Sequence, residues 1–358
     1  MRALRAQNPT ISFLGAGGPK MAAETSGDAN LFDVWTEEAG VLGLWDVLKK
    51  YGYFRSKFSA LLNQLSEHSP AAIILIDYPG FNLRLAKAIR DRKLPIKIFY
   101  YISPQVWAWH KSRIPKMARL LDLMICIFPF EKELYEVSGL PTTFAGHPLV
   151  EKLMGEQKNE QPHPRANHLL GLFPGSRERE VRRIFPVMLE AAQRVMECHP
   201  EICCETAAAT PDHAARMKAM ADGAGIAITI TSGDAHNLMQ RATFGFVCSG
   251  TATLEAACFA LPYALVYKVA WLTYVAGRYL IKVPYLGIIN ILAKRLVIRE
   301  FIQHKATPEA LAEEALRFLE NPDACQLLAQ ELTSVVSMLH GQGAYERAAA
   351  TMLEALKK

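Results

Sequence analysis

The chain has 358 residues, of which 51% are hydrophobic and 21% are charged. This length fits two domains of about 150 to 200 residues each, and this composition excludes a disordered chain. The net charge is only +5, so charge gives no reason to expect a nucleic-acid partner, although a mildly basic surface favours phosphate or anionic lipid.

The seven cysteines are scattered and show neither CxxC nor Cys/His zinc spacing. We therefore expect free thiols, a reducing compartment and no metal site. The start of the chain lacks an apolar run of signal-peptide length. The most apolar stretch, residues 269–292, is interrupted by Arg278, Lys282 and Pro284, so no transmembrane helix is predicted.

Apolar runs alternate with helical patterns in the first part of the chain, which predicts a doubly wound α/β domain with a parallel sheet. The buried strands are predicted at residues 11–16, 71–76, 96–102 and 123–127, with helices at residues 55–65 and 83–90. The chain opens in a helical pattern directly before the first of these strands. Because such a sheet usually has a central first strand, we expect roughly 20 further residues upstream in the natural protein.

A polar, proline-bearing stretch at residues 156–165 predicts a linker, after which the same alternation begins again. Strands are predicted at residues 169–173, 226–231, 245–248 and 263–268, and helix throughout residues 322–358. The predicted fold is α/β, with two Rossmann-like doubly wound domains facing a cleft. The domains are placed at residues 1–155 and 156–330, and the C-terminal helices of residues 331–358 either stand apart or pack back on the first domain.

Two segments of the first domain carry polar or glycine residues at predicted strand ends. Gly17 and Gly18 lie in a glycine-rich loop, but Lys20 stands where a dinucleotide fingerprint has its third glycine. Asp77, in the segment IDYPGFN, follows a buried strand. Its carboxylate suits a general base that deprotonates an attacking hydroxyl. The alternative, left open, is that Asp77 only caps the following turn.

Further candidates in this domain are aromatic residues and a histidine. Trp107 lies in an aromatic loop after the strand at residues 96–102, where it lines a binding site or packs in the core. His147, in the tripeptide GHP, is either a second base or a structural residue.

The second domain carries two loops that lead from a strand into a helix. In the first, Gly175 and Ser176 precede Arg177, whose forked guanidinium can hold a phosphate, and Glu180 follows. The competing interpretation is a solvated, charged helix face. Because the domain contains two loops of this kind, each strengthens the interpretation of the other as part of a phosphate site.

The second loop begins with Ser249, Gly250, Thr251 and Ala252 and opens an apolar helix. Small residues let backbone N–H groups approach a diphosphate, and the helix dipole favours its charge. Glu255 falls about one turn into the helix, where a ribose hydroxyl can reach it. An ordinary capping box is the alternative.

Together these segments resemble the lipid-A-disaccharide synthases, glycosyltransferases of outer-membrane lipid A assembly in Gram-negative bacteria. The resemblance covers nearly the whole chain and is specific because many short motifs agree. The motifs are GGPKM (17–21), GLWDVL (43–48), IDYPGFN (76–82), YISPQVWAW (101–109), FPFEKELY (128–135), GHP (146–148), PGSREREV (174–181) and SGTATLEAA (249–257), with Asn290 and Gln303 further on.

The resemblance implies a GT-B fold and an inverting reaction that needs no metal and no cofactor, since the UDP-sugar is a substrate. The donor would be UDP-2,3-diacylglucosamine and the acceptor 2,3-diacylglucosamine 1-phosphate. By position, Asp77 and Arg177 match catalytic residues of the family, and Asn290 and Gln303 match polar positions on the donor side. Gly17, Gly18, Trp45, Trp107 and His147 are assigned to the acceptor and lipid side.

The chain departs from the family pattern in three places. The family's first strand and its GE-[AT]-SGD loop are not found, although a similar segment, residues 24–28, follows the wrong strand. Gly80 stands where many relatives carry an aspartate, and Ile289 where they often carry proline. The first departure leaves the acceptor pocket and the activity open.

Diacylated substrates imply a peripheral position on the cytoplasmic side of the inner membrane, and homodimerisation stays open. Residues 41–54 and 269–292 mix large apolar with basic side chains, as interfacial segments do, although both also fit buried helices. The functional alternatives are another lipid-linked UDP-sugar transferase, a UDP-sugar 2-epimerase, or an inactive binding-only relative.

Overall fold

The computed structural model describes residues 1–25, 32–35, 51–159, 165, 168–280, 283–339 and 341–357. Their contacts divide the chain into two compact units: the first is Met1–Gly146 with Gly343–Lys358, and the second is His147–Gln342. The sequence prediction places its boundaries after residues 155 and 330 instead.

The described elements alternate between strand and helix along most of the chain. The strands are β1 Gly15–Gly17, β2 Phe32–Val34, β3 Ala72–Ile76, β4 Lys97–Tyr101, β5 Leu123–Cys126, β6 Thr142–Phe144, β7 Leu169–Phe173, β8 Cys203–Ala208, β9 Thr229–Ser232, β10 Phe244–Cys248, β11 Tyr263–Tyr267 and β12 Glu300–Ile302. The α-helices are α1 Arg2–Gln7, α2 Pro19–Ala22, α3 Tyr51–His68, α4 Pro79–Asp91, α5 Val106–Trp109, α6 Ile114–Leu120, α7 Pro129–Glu136, α8 Pro148–Asn159, α9 Glu178–Cys198, α10 Pro211–Ala224, α11 Ala235–Arg241, α12 Thr251–Cys258, α13 Trp271–Leu280, α14 Ile288–Ala293, α15 Pro308–Leu319, α16 Pro322–Ser337 and α17 Ala344–Lys357. Two 3₁₀ turns lie at Lys111–Arg113 and Gln303–Lys305.

The first unit is built on a four-stranded parallel sheet in the order β3-β4-β5-β6, with β1 and β2 forming a separate parallel pair. Side chains of β4 alternate between its two faces, as the strand period of two requires. Ile98 and Tyr100 belong to the core under α3, α4 and α6, whereas Phe99 faces a second core. Both faces are therefore covered by apolar side chains, as in other parallel sheets.

The second core of this unit joins the two ends of the described chain. Leu4 of α1 and Ala349 and Met352 of α17 pack with Phe99 and Ile125 of the sheet. Each large side chain that is fully buried here stabilises the fold by about 1.5 to 3 kcal/mol. The last helix thus belongs to the first unit.

The second unit is built on a six-stranded parallel sheet in the order β12-β11-β10-β7-β8-β9. Numbered from its own first strand, this order is 3-2-1-4-5-6 read from the other edge, which is the order of dinucleotide-binding sheets. From β7 the chain adds strands towards one edge of the sheet, and from β10 it adds them towards the other edge. A crevice is therefore expected beyond the carboxyl ends of β7 and β10.

Several local predictions need correction. The strand predicted at residues 11–16 begins only at Gly15, and the helical C-terminus is interrupted between α16 and α17, where Gly343 has φ +73°. The stretch predicted as a linker is helical up to Asn159. Beyond it, Arg165 donates to the carbonyl oxygens of Ala242 (2.6 Å) and Phe259 (2.5 Å), and this anchors the segment to the ends of α11 and α12.

Candidate functional site

The two predicted phosphate loops lie side by side in the second unit. Strands β7 and β10 are hydrogen-bonded neighbours, with Phe173 beside Val247 at their carboxyl ends. The loops that follow these strands, residues 174–177 and 249–250, therefore flank the point where the strand order reverses, which is where open α/β sheets bind their ligands.

The first loop turns sharply at Gly175, which has φ +106°. A Cβ atom at this position would lie 2.5 Å from Oε2 of Glu180, so any other residue would disturb the turn. The same Oε2 accepts a hydrogen bond from the backbone N–H of Arg177 (3.2 Å) and caps α9. The loop thus has a defined conformation that presents Ser176 and Arg177 at the surface.

Arg177 is the positively charged residue of this loop, and it is exposed. Its side chain is 82% exposed, and Nη1 lies 3.1 Å from Oε1 of Glu180. An exposed ion pair of this kind contributes little to stability, about 0 to 1 kcal/mol, so the guanidinium can exchange this partner for a phosphate at small cost. The exposed guanidinium of Arg177 is therefore available to bind an anionic ligand.

The second loop turns at Gly250, which has φ +146°, a conformation that other residues rarely adopt. The hydroxyl of Thr253 donates to the Gly250 carbonyl (2.7 Å) and fixes the first turn of α12. The first N–H groups of a helix have no partner within the helix. Those of Thr251 and Ala252 begin α12 beside the first loop and suit an anion.

The thiol of Cys248, at the end of β10, lies within electrostatic reach of charges at the start of α9. Burial raises the pKa of this thiol to about 12; Glu180 of α9 acts in the same direction and Arg177 of the first loop opposes it. Glu255 lies one turn into α12, with a side chain 23% exposed, and its Oε1 is 3.8 Å from Nε2 of His236. Glu255 raises the pKa of that imidazole.

Asn290 and Gln303 hold the backbone of the second unit in this structure. The Asn290 amide is buried; it donates to the Ile298 carbonyl (2.7 Å) and to Glu300 (2.8 Å) and accepts from Ile298 N–H (2.8 Å). Gln303 exchanges two hydrogen bonds with the backbone of Val269, at 2.6 and 3.1 Å. Their assignment to the donor side therefore stays a prediction, and their observed contacts fix the segments after β11 and before β12.

Sequence reasoning did not find Glu300, which organises the same region. Its carboxylate accepts hydrogen bonds from the N–H groups of Leu286 (3.0 Å) and Gly287 (2.9 Å), at the start of α14, as well as from Asn290. A glutamate within a three-residue strand carries no sequence signal for such a role.

Asp77 occupies a strained turn in the first unit. It directly follows β3 and has φ +48°, and the next residue, Tyr78, has φ +43°. Two consecutive non-glycine residues in the left-handed region are costly, and such strain is concentrated at functional sites. The turn is held through the Asp77 carbonyl, which accepts hydrogen bonds from the Tyr100 hydroxyl (2.5 Å) and the Asn82 amide (2.6 Å).

The Asp77 carboxylate is separate from these structural contacts. The residue is exposed, and no described residue donates a hydrogen bond to its side chain. The backbone therefore fixes the turn while the carboxylate remains accessible, which suits a general base better than a capping residue.

The other predicted residues of the acceptor side are distributed over both units. Gly17 ends β1, where a Cβ would lie 2.7 Å from Sδ of Met21, and Gly18 precedes α2. Trp45 lies outside the described residues. His147 is the first residue of the second unit, and burial lowers its pKa to about 4, so its imidazole is uncharged at neutral pH.

Trp107 is buried, and its indole N–H donates to Oε1 of Glu131 (2.9 Å). Glu131 also caps α7 by accepting from the Phe128 N–H (3.2 Å). The carboxyl is fully buried, and burial raises its pKa to about 7 because a charge in the protein interior loses its hydration.

Replacing Glu131 by Gln is expected to change how stability depends on pH. The folded protein holds this proton up to about pH 7, whereas an unfolded glutamate releases it near pH 4.5, so wild-type stability falls as pH rises through this window. A glutamine has no proton to release there. Relative to wild type, Glu131→Gln should gain about 1 to 3 kcal/mol in the free energy of unfolding between pH 5 and pH 8, measured by urea unfolding.

The matched control is Glu133→Gln, because Glu133 lies on the same helix but is exposed. For Glu133→Gln, the difference from wild type in the free energy of unfolding should stay constant over the same pH range. A constant difference for Glu131→Gln as well would contradict the assignment of a raised pKa to the buried carboxyl.

Within its described part, the chain shows neither a metal-binding cluster nor a membrane-spanning helix. Among residues whose position the structure describes, no three or more His, Cys, Asp or Glu side chains are arranged to hold a metal ion. Over the same ranges, every helix is too short or too polar to cross a bilayer.

Comparison with known proteins gave a match over almost the entire sequence. A family model described as lipid-A-disaccharide synthetase matches residues 1–355. A lipid-A-disaccharide synthase of Trichlorobacter lovleyi is 37% identical over 100% of this chain and 93% of its own length. The Geobacter sulfurreducens protein of the same name is 36% identical over 98% of this chain and 91% of its own.

Solved structures with the same fold are more distant in sequence. A UDP-GlcNAc 2-epimerase from Neisseria meningitidis bound to UDP-GlcNAc has a TM-score of 0.55 at 11% identity, over 87% of this chain and 82% of that one. A trehalose 6-phosphate synthase from Burkholderia multivorans has a TM-score of 0.52 at 13% identity, over 88% and 77%. At such identities the likeness concerns the fold alone.

Proposed function

The chain belongs to the lipid-A-disaccharide synthase family of glycosyltransferases, and from this membership we propose its substrates and its chemistry. The donor is UDP-2,3-diacylglucosamine and the acceptor is 2,3-diacylglucosamine 1-phosphate. The products are the β-1′,6-linked disaccharide 1-phosphate and UDP. No cofactor takes part, because the UDP-sugar is itself a substrate.

The observation that carries this proposal is the pair of loops at the reversal point of the second sheet. A glycine-turned loop ending in the exposed Arg177 lies beside the N-terminus of α12. Together they offer one cation and a set of backbone N–H groups, which is what a diphosphate requires. In this proposal Glu255, further along α12, receives the ribose hydroxyls.

The proposed reaction is a single displacement with inversion. The acceptor's 6-hydroxyl oxygen forms a bond to the anomeric carbon as the bond from that carbon to the UDP oxygen breaks, and Asp77 takes the hydroxyl proton. Positive charge develops on the sugar ring, as it does in glycoside hydrolysis, and negative charge develops on the leaving diphosphate. Arg177 and the amides of residues 249–252 stabilise that negative charge.

The direct test is UDP release by the purified full chain with both diacylated substrates, together with mass spectrometry of the lipid product. UDP release that depends on the acceptor and yields the disaccharide 1-phosphate is expected. Conversion of UDP-GlcNAc to its 2-epimer would favour an epimerase, and release with a different lipid acceptor would favour another lipid-linked transferase. UDP binding without turnover would indicate an inactive relative.

The same proposal places the enzyme peripherally on the cytoplasmic face of the inner membrane. The support is α13, where Trp271 is 67% and Tyr279 is 82% exposed beside the exposed Arg278; aromatic and basic side chains together favour a membrane interface. Of the other predicted segment, residues 41–54, only positions 51–54 are among the described residues.

Replacing Trp271 and Tyr279 together by Ser is expected to lower membrane binding several-fold, because the helix loses the aromatic side chains that insert among lipid headgroups. Flotation with vesicles of phosphatidylethanolamine and phosphatidylglycerol, at low and high salt, measures the bound fraction. Leu327→Ser is the matched control, since Leu327 is 64% exposed on another helix of the same unit. Unchanged flotation of the double variant would remove α13 from the membrane-binding surface.

A further inference from the structure

His236 contacts the proposed nucleotide site from a neighbouring helix. It is the second residue of α11, and its Nε2 lies 3.8 Å from Oε1 of Glu255 in α12. The imidazole also packs on the ring of Phe259, with centroids 5.2 Å apart. The imidazole is 40% exposed and the carboxylate 23%, so both side chains remain partly accessible at the surface of the second unit.

The charges around His236 favour its cationic form. Glu255 raises the pKa of the imidazole most, Glu156 of α8 acts in the same direction, and Lys152 of α8 opposes them. The imidazole, with Nε2 3.8 Å from Oε1 of Glu255, limits the rotamers that this carboxylate can adopt, and the ring of Phe259 limits those of His236. Glu255 is thereby ordered before any ligand arrives, which reduces the entropy lost on binding.

We propose that His236 is a positioning residue that holds the Glu255 carboxylate for recognition of the ribose hydroxyls of a uridine nucleotide. This inference rests on the proposed donor site and adds to it a residue that lies outside the two loops and outside the motifs of the sequence analysis. His236 acts through Glu255 and makes no contact of its own with the ribose.

The test compares UDP with its 2′,3′-dideoxy analogue, which lacks both ribose hydroxyls, by titration calorimetry on the full chain. Wild type is expected to prefer UDP by about tenfold, the order expected from hydrogen bonds to a charged group. His236→Ala and Glu255→Gln should each reduce this preference to about threefold or less, and the double variant should reduce it no further. His236→Gln, which keeps an N–H donor at about the reach of the imidazole Nε2 but cannot become charged, should fall between wild type and His236→Ala.

A matched control is His199→Ala. His199 is also bonded to carboxylates, Glu201 (3.1 Å) and Glu320 (2.8 Å), but it lies beyond the far end of α9, away from the two loops. It should leave the preference unchanged.

Three results would overturn the inference. If His236→Ala lowered the affinity for UDP and for the dideoxy analogue equally, His236 would be only a packing residue. Additive losses in the double variant would show that it acts independently of Glu255. A full preference in Glu255→Gln would remove Glu255 from ribose recognition. Failure of wild type to bind UDP at all would instead overturn the proposed donor site, and the inference with it.

Discussion

Asp77→Asn is expected to lower kcat by about 10²- to 10⁴-fold, the usual contribution of a general base, while the affinity for UDP stays within about twofold. The asparagine amide cannot take the proton of the attacking 6-hydroxyl, but it preserves the size of the side chain. Asparagine also tolerates the left-handed backbone conformation that Asp77 adopts at φ +48°. Steady-state UDP release and UDP titration on the same preparation measure the two quantities.

The choice of asparagine matters because the structural contacts of this turn involve the backbone. The Tyr100 hydroxyl and the Asn82 amide both donate to the Asp77 carbonyl, and the substitution leaves that carbonyl in place. Asp77→Ala would add backbone strain, so a loss of activity could come either from the missing carboxylate or from a disturbed turn.

Asp91→Asn provides the charge control, since Asp91 ends the helix that follows this turn and forms an exposed pair with Lys87. It should retain activity within about twofold. If Asp77→Asn kept wild-type turnover, Asp77 would not be the base. If it lost UDP binding and turnover together, Asp77 would be a structural residue of the fold.

The fold class could be predicted from the sequence because its signal is local. Buried parallel strands appear as short apolar runs, and most of the predicted runs coincide with strands of the structure. The strands that escaped prediction lack that signal. Cys203–Ala208 includes Glu205 and Thr206, and the hydroxyl of the buried Thr206 is satisfied by the Leu172 carbonyl (2.8 Å). Thr142–Phe144 and Glu300–Ile302 are three-residue edge strands.

The candidate donor loops could be predicted one at a time, but their proximity could not. Each is a strand, a small-residue turn and a helix, which the sequence displays directly. That residues 174–177 lie beside residues 249–250 follows from the strand order, which places β10 against β7 and not against β9. The sequence alone contains no comparable information about pairing across the sheet.

The sequence also could not identify residues whose importance depends on burial or on backbone torsion angles. In the segment FPFEKELY, Glu131 stands three residues after Phe128, which fits a capping position, but nothing there indicates that Glu131 is fully buried while Glu133 is exposed. The positive φ angles of Asp77 and Tyr78 are a property of the closed turn, since neither residue type requires them. His236 is a single histidine in a helical pattern, and it gains a role only from its distance to Glu255.

Arg177→Ala is expected to lower kcat by about 10²- to 10³-fold, the range found when one stabilising donor of a developing negative charge is removed. The expected cost in stability is small. The guanidinium is 82% exposed and its only ion pair among the described residues is with Glu180, a kind of pair that contributes about 0 to 1 kcal/mol. UDP release and thermal unfolding on the same protein measure the two effects.

The loop itself should survive this substitution because its conformation depends on other groups. Glu180 caps the helix through the Arg177 backbone N–H, which alanine retains, and Gly175 makes the turn. Arg179→Ala is the matched control: it removes another exposed positive charge two residues further on, within the first turn of α9, and should keep activity within about threefold. Equal losses in both variants would mean that the general positive charge of this helix end, and not a contact of Arg177 with the diphosphate, supports the reaction. A large loss confined to Arg177→Ala, with unchanged unfolding temperature, would assign the stabilisation of the leaving group to this one guanidinium.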